Sequence, residues 1–429
     1  MEEICKNVFK FQNFASILIV SHEGRRSRAV AIANLTKDDF GTRLNKVVSP
    51  ANPIRSIEFL KGRSKELEII DRALFAPGRH IFIFGDRGVG KSSLAATAAY
   101  QYQSSEAQPI FVSGSIDDTF AGIISNIAYQ AVGRSRINSV STTRETAAEW
   151  QGLSFSKAEE ISPVDFFERL KSVGDAVELL KQVAAFHSAK PIVVIDEFDA
   201  IASEGERNKF AALLKQMGDQ SVNLKIIFTG IGRSLDELLG AHQSAHRQLD
   251  TVEVQRLGWE ARREIVDRAA EEFGLSVDNN VNWRIAIVSD GFPYYVHLIA
   301  EKMMWEAFSC SEVVDVVEWR EFHAGLKSAI ASINAELKKP YNMAVNHRAE
   351  EYEDIVWSTA DGEDLTRSLN SMYESFQFVR RKRSGRPEIT KKKFGDCLRN
   401  LKRKDYGEVL LPIEKRNGLY TYREKMLRG

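Results

Sequence analysis

The chain has 429 residues, 43% of them hydrophobic, and its 59 Lys and Arg balance 59 Asp and Glu. That length exceeds the roughly 100–200 residues of one domain, so two or three units are expected, each with enough apolar content for a core. Three dispersed cysteines (Cys5, Cys310, Cys397) form neither a disulfide framework nor a thiolate metal site, and no apolar run approaches the roughly 20 residues of a membrane span, so a soluble, cytoplasmic protein is expected.

Residues 1–55 show no clear periodicity and end in "SPANPIRS", whose prolines mark a linker. From residue 56 to about 255, short apolar runs alternate with amphipathic helical segments: "IFIF" (81–84), "IFV" (110–112), "IVVI" (192–195), "KIIFT" (225–229) and "VEV" (252–254). The pattern predicts an α/β unit, a parallel sheet with helices on both faces. The polar stretch 133–160 is too long for an ordinary connection and reads as a surface insertion. Ser162 followed by Pro163 then opens a helix. Residues 256–338 lose the strand signal and read as a smaller helical unit, in which Ile265, Val266, Ala269, Ala270 and Phe273 share one helix face. Residues 339–429 change again, with helices near 349–358, 364–379 and 390–403 and two strand-like runs meeting at Asn417-Gly418, a hairpin signal.

Gly85 to Ser92, "GDRGVGKS", satisfies G-x-x-x-x-G-K-[ST], preceded by an apolar strand and followed by a helix-compatible run. In such a turn the backbone of Gly85, Gly88, Val89 and Gly90 and the helix start at Ser93 converge on phosphate oxygens. Lys91 reaches the terminal phosphates of ATP and Ser92 binds Mg2+. Downstream, "PIVVIDEFD" ends a strand in an acidic pair. Asp196 fits the magnesium shell, and Glu197 fits the base that orients and deprotonates the attacking water. Asp86 and Arg87, charged residues inside the phosphate turn, are expected at a subunit or lid contact and outside the catalytic set.

"GDRGVGKSS" with "VVIDEFD" resembles the AAA+ and STAND class of P-loop ATPases, and more closely its branch of origin-recognition initiators and archaeal-type ATPases, over residues 56–338. The resemblance divides the chain into an N-terminal extension (1–55), an ATPase core (56–255), a helical lid (256–338) and a winged-helix-like basic domain (339–429). It implies that Gly62 and Arg63 line the adenine pocket and that Thr229 senses the γ-phosphate. It also implies that Arg247 serves a neighbouring subunit's nucleotide, with Arg233 as competitor. The lid departs from the common Gly-x-x-Arg pattern: "GFPYYVHL" has Tyr294 where the arginine would stand, and Pro293 is implied to pack near the nucleotide base. A lid without that arginine favours a slow switch over a processive motor.

The neutral total conceals an asymmetry. Residues 380–429 hold 17 Lys and Arg against 6 Asp and Glu, a surplus of 11, and the remainder carries the opposite excess. Ile389, Phe394, Cys397, Leu398 and Leu401 recur at helical spacing beside Lys391, Lys392, Arg399, Lys402 and Arg403, so one face packs and the other is cationic. With the hairpin bearing Lys415 and Arg416, residues 380–425 are expected to contact DNA. Three readings stand: a nucleotide-controlled conformational or oligomerisation switch, an initiator or loader in which ATP holds a DNA-bound assembly, and a signalling or host-defence ATPase acting on a separate effector protein. A homo-oligomer fits the first two.

Overall fold

The computed structural model describes residue 32 and residues 35–103, 107–135, 149–151, 153–154, 162–241, 247–310, 314–333, 335–362, 364, 366–383, 388–412 and 418–423. Helix α1 (Lys37–Val47) lies within the stretch read as aperiodic; Thr36 caps it by accepting from the Asp39 N–H at 3.1 Å. Then follow α2 (Ser64–Phe75), β1 (His80–Gly85), α3 (Lys91–Tyr102), β2 (Ile110–Ser113) and α4 (Phe120–Ser135). Two short strands, β3 (Glu149–Trp150) and β4 (Leu153–Ser154), pair antiparallel within the polar stretch 133–160, most of which lies outside the described residues. The core continues through α5 (Pro163–Arg169), α6 (Val173–His187), β5 (Ile192–Asp196), α7 (Glu204–Asp219), β6 (Lys225–Gly230), α8 (Gly232–Ala241) and β7 (Leu249–Val254). Pro163 does occupy the first position of α5, where its missing N–H has no intrahelical partner to lose.

Strands β2-β5-β6-β1-β7 form one parallel sheet in that order, with Ile81 opposite Ile227 and Gly85 opposite Val254. The two-residue period of each strand divides its apolar side chains between two cores. Phe82, Val193, Ile195 and Phe228 face α4, α6 and α7, whereas Ile81, Ile83, Ile192 and Val194 face α2 and α3. All eight are at most 1% exposed, and each contributes about 1.5–3 kcal/mol of burial. The sheet therefore holds the loops at its C-terminal edge on a rigid base.

The next unit comprises α9 (Trp259–Glu271), β8 (Ser276–Val277), α10 (Asn279–Val288), α11 (Pro293–Ser309), β9 (Val316–Val317) and α12 (Trp319–Ser332). It was read as purely helical, but β8 and β9 form a short parallel pair. Helix α1 packs into this unit: the Phe40 ring lies 4.3 Å from Phe308 and 4.5 Å from Phe273, in a core shared with Leu44 and Val48.

The C-terminal unit runs α13 (Ala335–Val345), α14 (Glu351–Ala360), β10 (Thr366–Ser368), α15 (Leu369–Lys382), α16 (Lys391–Asn400), β11 (Leu410–Pro412) and β12 (Leu419–Tyr422). The hairpin pairs Leu410 with Tyr422, and β10 adds a third antiparallel strand that the sequence did not signal. Ile389, Phe394, Cys397, Leu398 and Leu401 are all buried in its core, as their spacing predicted. Lys415, Arg416 and Asn417 lie outside the described residues. Among the described residues no helix is long and apolar enough to cross a membrane.

Candidate functional site

At the C-terminal ends of β1, β5 and β6 the chain encloses a cavity of about 780 Å³. Its phosphate-side wall is the turn from β1 into α3. Gly88 (φ +82°) and Gly90 (φ +96°) take left-handed backbone angles that side chains rarely adopt, and Gly90 stands at the N-cap of α3. A Cβ at Gly85 would run into the Val254 carbonyl of β7. The glycines thus let the turn pass close to its neighbours while its N–H groups gather at a helix start.

Lys91 donates to the Gly85 carbonyl at 3.1 Å and to the Asp86 carbonyl at 2.9 Å, so its ammonium closes its own loop. Burial pushes its pKa down, opposed by the charges of Asp199, Asp196, Asp86 and Glu197. Ser92 Oγ donates to Asp196 Oδ1 at 3.0 Å. The same carboxylate oxygen accepts from the Thr229 hydroxyl and, at 3.1 Å, from the Glu197 N–H. Thr229, 1% exposed, also accepts from the Glu197 N–H at 3.2 Å. One oxygen of Asp196 therefore ties the phosphate loop, the acidic pair and the end of β6 into a single unit. Glu197 is exposed, lines the cavity and adopts φ +52°, a costly angle for a non-glycine residue.

The opposite wall comes from the lid and the N-terminal segment. Pro293, Tyr294 and His297 of α11 line it, and the Pro293 ring comes within 3.5 Å of where a Cβ on Gly90 would sit. Residues Ser49–Ile54, read as a linker, line the cavity instead. The Ile54 N–H donates to Ser93 Oγ at 3.1 Å, Thr97 Oγ1 donates to the Ile54 carbonyl at 3.0 Å, and Ser49 N–H points to His297 Nδ1 at 3.4 Å. Burial lowers the His297 pKa to about 4, so the ring is neutral near pH 7.

The structure brings Lys91, Ser92, Ser93, Gly88, Val89, Gly90, Asp196, Glu197, Thr229, Arg63 and Pro293 to one cavity. Gly62 does not line it: with φ +67° it packs against Ala261 of α9, where any Cβ would collide. Arg63 borders the cavity, but its guanidinium is engaged elsewhere. It donates to the Val89 carbonyl at 2.8 Å and to the Gln255 carbonyl at 2.6 Å, and its 4% exposure makes it a brace between phosphate loop and β7. Arg247 is exposed just before β7, and since β7 runs parallel to β1 it lies at the sheet edge opposite the phosphate loop. It lines no part of its own chain's cavity. Arg233 lies on α8, and its side chain is outside the described residues. Contributors that sequence reasoning did not single out include Asp199, Lys61, the segment Ser49–Ile54, and Arg87, which lines the cavity although it was expected at a subunit or lid contact. Asp199, two residues beyond Glu197 in "DEFD", and Arg87, inside the glycine motif, both had a sequence signal.

Residues 60–227 match the family of the AAA ATPase domain. The chain carries an AAA ATPase domain. A search of curated proteins found no match. Among solved structures, this ATPase resembles the ORC2 protein of Aeropyrum pernix in its ADPNP-ADP complexes, with 11% identity, TM-score 0.51, and 88% of this chain and 93% of that one covered. A Walker-type ATPase of Pyrococcus abyssi aligns with 18% identity, TM-score 0.49, and coverage of 88% and 97%. The Aeropyrum pernix ORC1 protein in complex with DNA aligns with 15% identity, TM-score 0.42, and coverage of 86% and 91%. The ORC2 likeness concerns the fold: a parallel P-loop sheet with helices on both faces, followed by helical units.

For the ATPase domain, the donor set around Asp196 is all oxygen, the kind a hard divalent cation takes. Among the described residues no group of three or more His, Cys, Asp or Glu side chains converges as a self-sufficient metal site. The oxygens of Ser92 and Asp196 would suit magnesium as a partial site, one completed by ligands from outside the chain. Ser92 donates its proton to Asp196 and keeps its lone pairs for a cation.

Proposed function

We propose that this ATPase is a slow, magnesium-dependent nucleotide switch whose C-terminal domain contacts DNA. The observation that carries the first half is the single Asp196 oxygen shared by Ser92, Thr229 and the Glu197 amide. Lys91 exchanges its two loop carbonyls for the β- and γ-phosphates. Ser92 and Asp196 would hold magnesium, which when bound would supply charge neutralisation at the phosphates. Glu197, held at the cavity mouth by its backbone, takes the proton of the attacking water. Thr229 acts as a positioning residue, since its hydroxyl is already committed to Asp196 and the Glu197 N–H. Pro293 and the Ser49–Ile54 segment enclose the nucleoside side. With Tyr294 in place of a lid arginine, the lid reports occupancy and adds little to the chemistry.

The paired variants Glu197→Gln and Lys91→Ala test this reading. The first is expected to bind ATP without turning it over, and the second to lose binding. Unchanged turnover in Glu197→Gln removes Glu197 as the base.

The DNA reading rests on the C-terminal unit, whose order of helix, strand, helix, helix and hairpin we interpret as a winged helix with α16 as the groove-facing helix. Lys391 and Lys392 are exposed on its first turn. Binding to duplex DNA that weakens steeply with salt is expected, and no binding at low salt sinks it. A homo-oligomer would bring the exposed Arg247 of one copy toward another's nucleotide. Mass measurement with ADP and with a non-hydrolysable ATP analogue tests that assembly.

A further inference from the structure

Beside the charged groups of the phosphate loop, the cavity is lined by Ile54, Phe59, Leu60, Ile265 of α9 and Pro293 of α11. Apolar walls of this kind suit a flat aromatic base, but by themselves they discriminate poorly between one base and another. Discrimination needs a polar group fixed in place.

His297, one turn beyond Pro293 on α11, lines the same cavity and is only 3% exposed. Its Nδ1 accepts from the Ser49 N–H at 3.4 Å, so in the neutral ring the proton sits on Nε2. Burial keeps the ring neutral near pH 7. Both donors of Ser49 are spent, because its hydroxyl donates to the Asn52 carbonyl at 2.9 Å. Among the described residues Nε2 meets no protein acceptor, yet it keeps accessible surface. Since the ring lines the cavity and is otherwise enclosed, that N–H is presented to the cavity. A buried donor left unmatched is costly, so its acceptor is expected from a ligand. Asn52, Lys61 and Tyr294 also line the cavity, but none of them is buried, and the buried Arg63 is spent on two carbonyls.

We propose that His297 is a specificity-determining residue for the base: its Nε2–H donates to N1 or N3 of adenine, and the cavity favours adenine over guanine nucleotides. Both nitrogens are bare acceptors in adenine. In guanine N1 carries a proton and N3 is crowded by the 2-amino group, so a fixed donor meets a donor or a clash. The proposal rests on the nucleotide reading above.

Calorimetric titration of the full chain with ADP, GDP and the 1-deaza, 3-deaza and 7-deaza analogues of ADP tests it. Wild type is expected to bind ADP more tightly than GDP and to lose about 10-fold in affinity for either 1-deaza- or 3-deaza-ADP, the worth of one hydrogen bond to a buried donor. His297→Phe keeps a ring and removes the N–H. It is expected to bind ADP about 10-fold more weakly and to bind the weakened analogue as well as ADP, because the two deletions remove the same contact. Equal wild-type affinity for ADP and GDP overturns the proposal. So does a wild type that binds the 1-deaza and 3-deaza analogues as it binds ADP, or that loses affinity only for 7-deaza-ADP; neither result depends on the variant folding. A preference for ADP over the analogues that survives undiminished in His297→Phe places the recognition elsewhere and overturns it too. No binding of ADP or GDP by the wild type would overturn the nucleotide reading instead.

Discussion

The nucleotide cavity and the C-terminal domain both bristle with charge, and they spend it differently. In the cavity, Lys91, Ser92, Asp196, Glu197 and Thr229 converge from three separate elements on a few atoms. In the C-terminal domain several of the cations are committed internally. Lys393 pairs with Glu351 at 2.6 Å, Arg383 with Asp354 at 2.6 Å and Glu353 at 2.8 Å, Arg403 with Asp405 at 2.9 Å, and Arg399 with Asp396. A charge count along a sequence thus overstates the charge offered to a partner, while a spaced motif understates how tightly its residues are joined.

That contrast gives ordered predictions. The largest effect is expected from Glu197→Gln, with turnover falling about 10²–10⁴-fold and ATP still bound, as steady-state kinetics and a binding titration would show. Lys91→Ala should cost about 2–5 kcal/mol in nucleotide binding, because it removes the buried cation of the loop. By comparison, the C-terminal domain has no single residue of that weight, and one that proved equally costly would break the contrast.

Acid should separate the regions. Burial holds His297 at about 4 and, with the Lys225 charge, His80 at about 3, against 6.5 unfolded. The unfolded chain takes up those protons first, so the stability of the core and lid is complete above pH 6.5 and is lost as pH falls from 6.5 toward 4 and 3. His297 accounts for about 3 kcal/mol at most. In the C-terminal domain Lys393 holds the Glu351 carboxyl below its ordinary 4.5, and that contribution is lost only as pH falls below this range. Denaturant melts followed by exchange in each region should show the core and lid weakening first, with His297→Asn flattening the decline between pH 6.5 and 4.

Gly85→Ala should destabilise the core by about 1–3 kcal/mol in urea melts, through collision with the Val254 carbonyl. The smallest effect is expected from Lys391→Ala and Lys392→Ala. Each should reduce the slope of log affinity against log salt by about 0.9 if it meets a DNA phosphate. The neutral removal of Lys393, already paired with Glu351, should change that slope less.

The sheet was legible because five buried parallel strands leave uninterrupted apolar runs, and the acidic pair because it ends one of them. The α1 helix was not. Its apolar contribution is little more than Phe40, Leu44 and Val47, and it gains its meaning from aromatic partners more than 200 residues away, Phe273, Trp305 and Phe308. Strand β10 is three residues of polar sequence, Thr366–Ser368, held by pairing with β12 and not by its own pattern. Gly62 was misplaced for a related reason. A glycine in a family motif shows that a Cβ is excluded, and not what excludes it; here Ala261 does. Arg63 borders the cavity, while its engagement by two backbone carbonyls depends on a β7 terminus that sequence spacing does not locate.

The Ser49–Ile54 segment gives the cavity a wall that does not come from the sheet. It is tied to α3 by the bonds from Ile54 to Ser93 and from Thr97 to Ile54, while α1 just before it is rooted among the aromatic rings of the following unit. One N-terminal strap therefore joins the two units that flank the cavity, in addition to the chain that links β7 to α9.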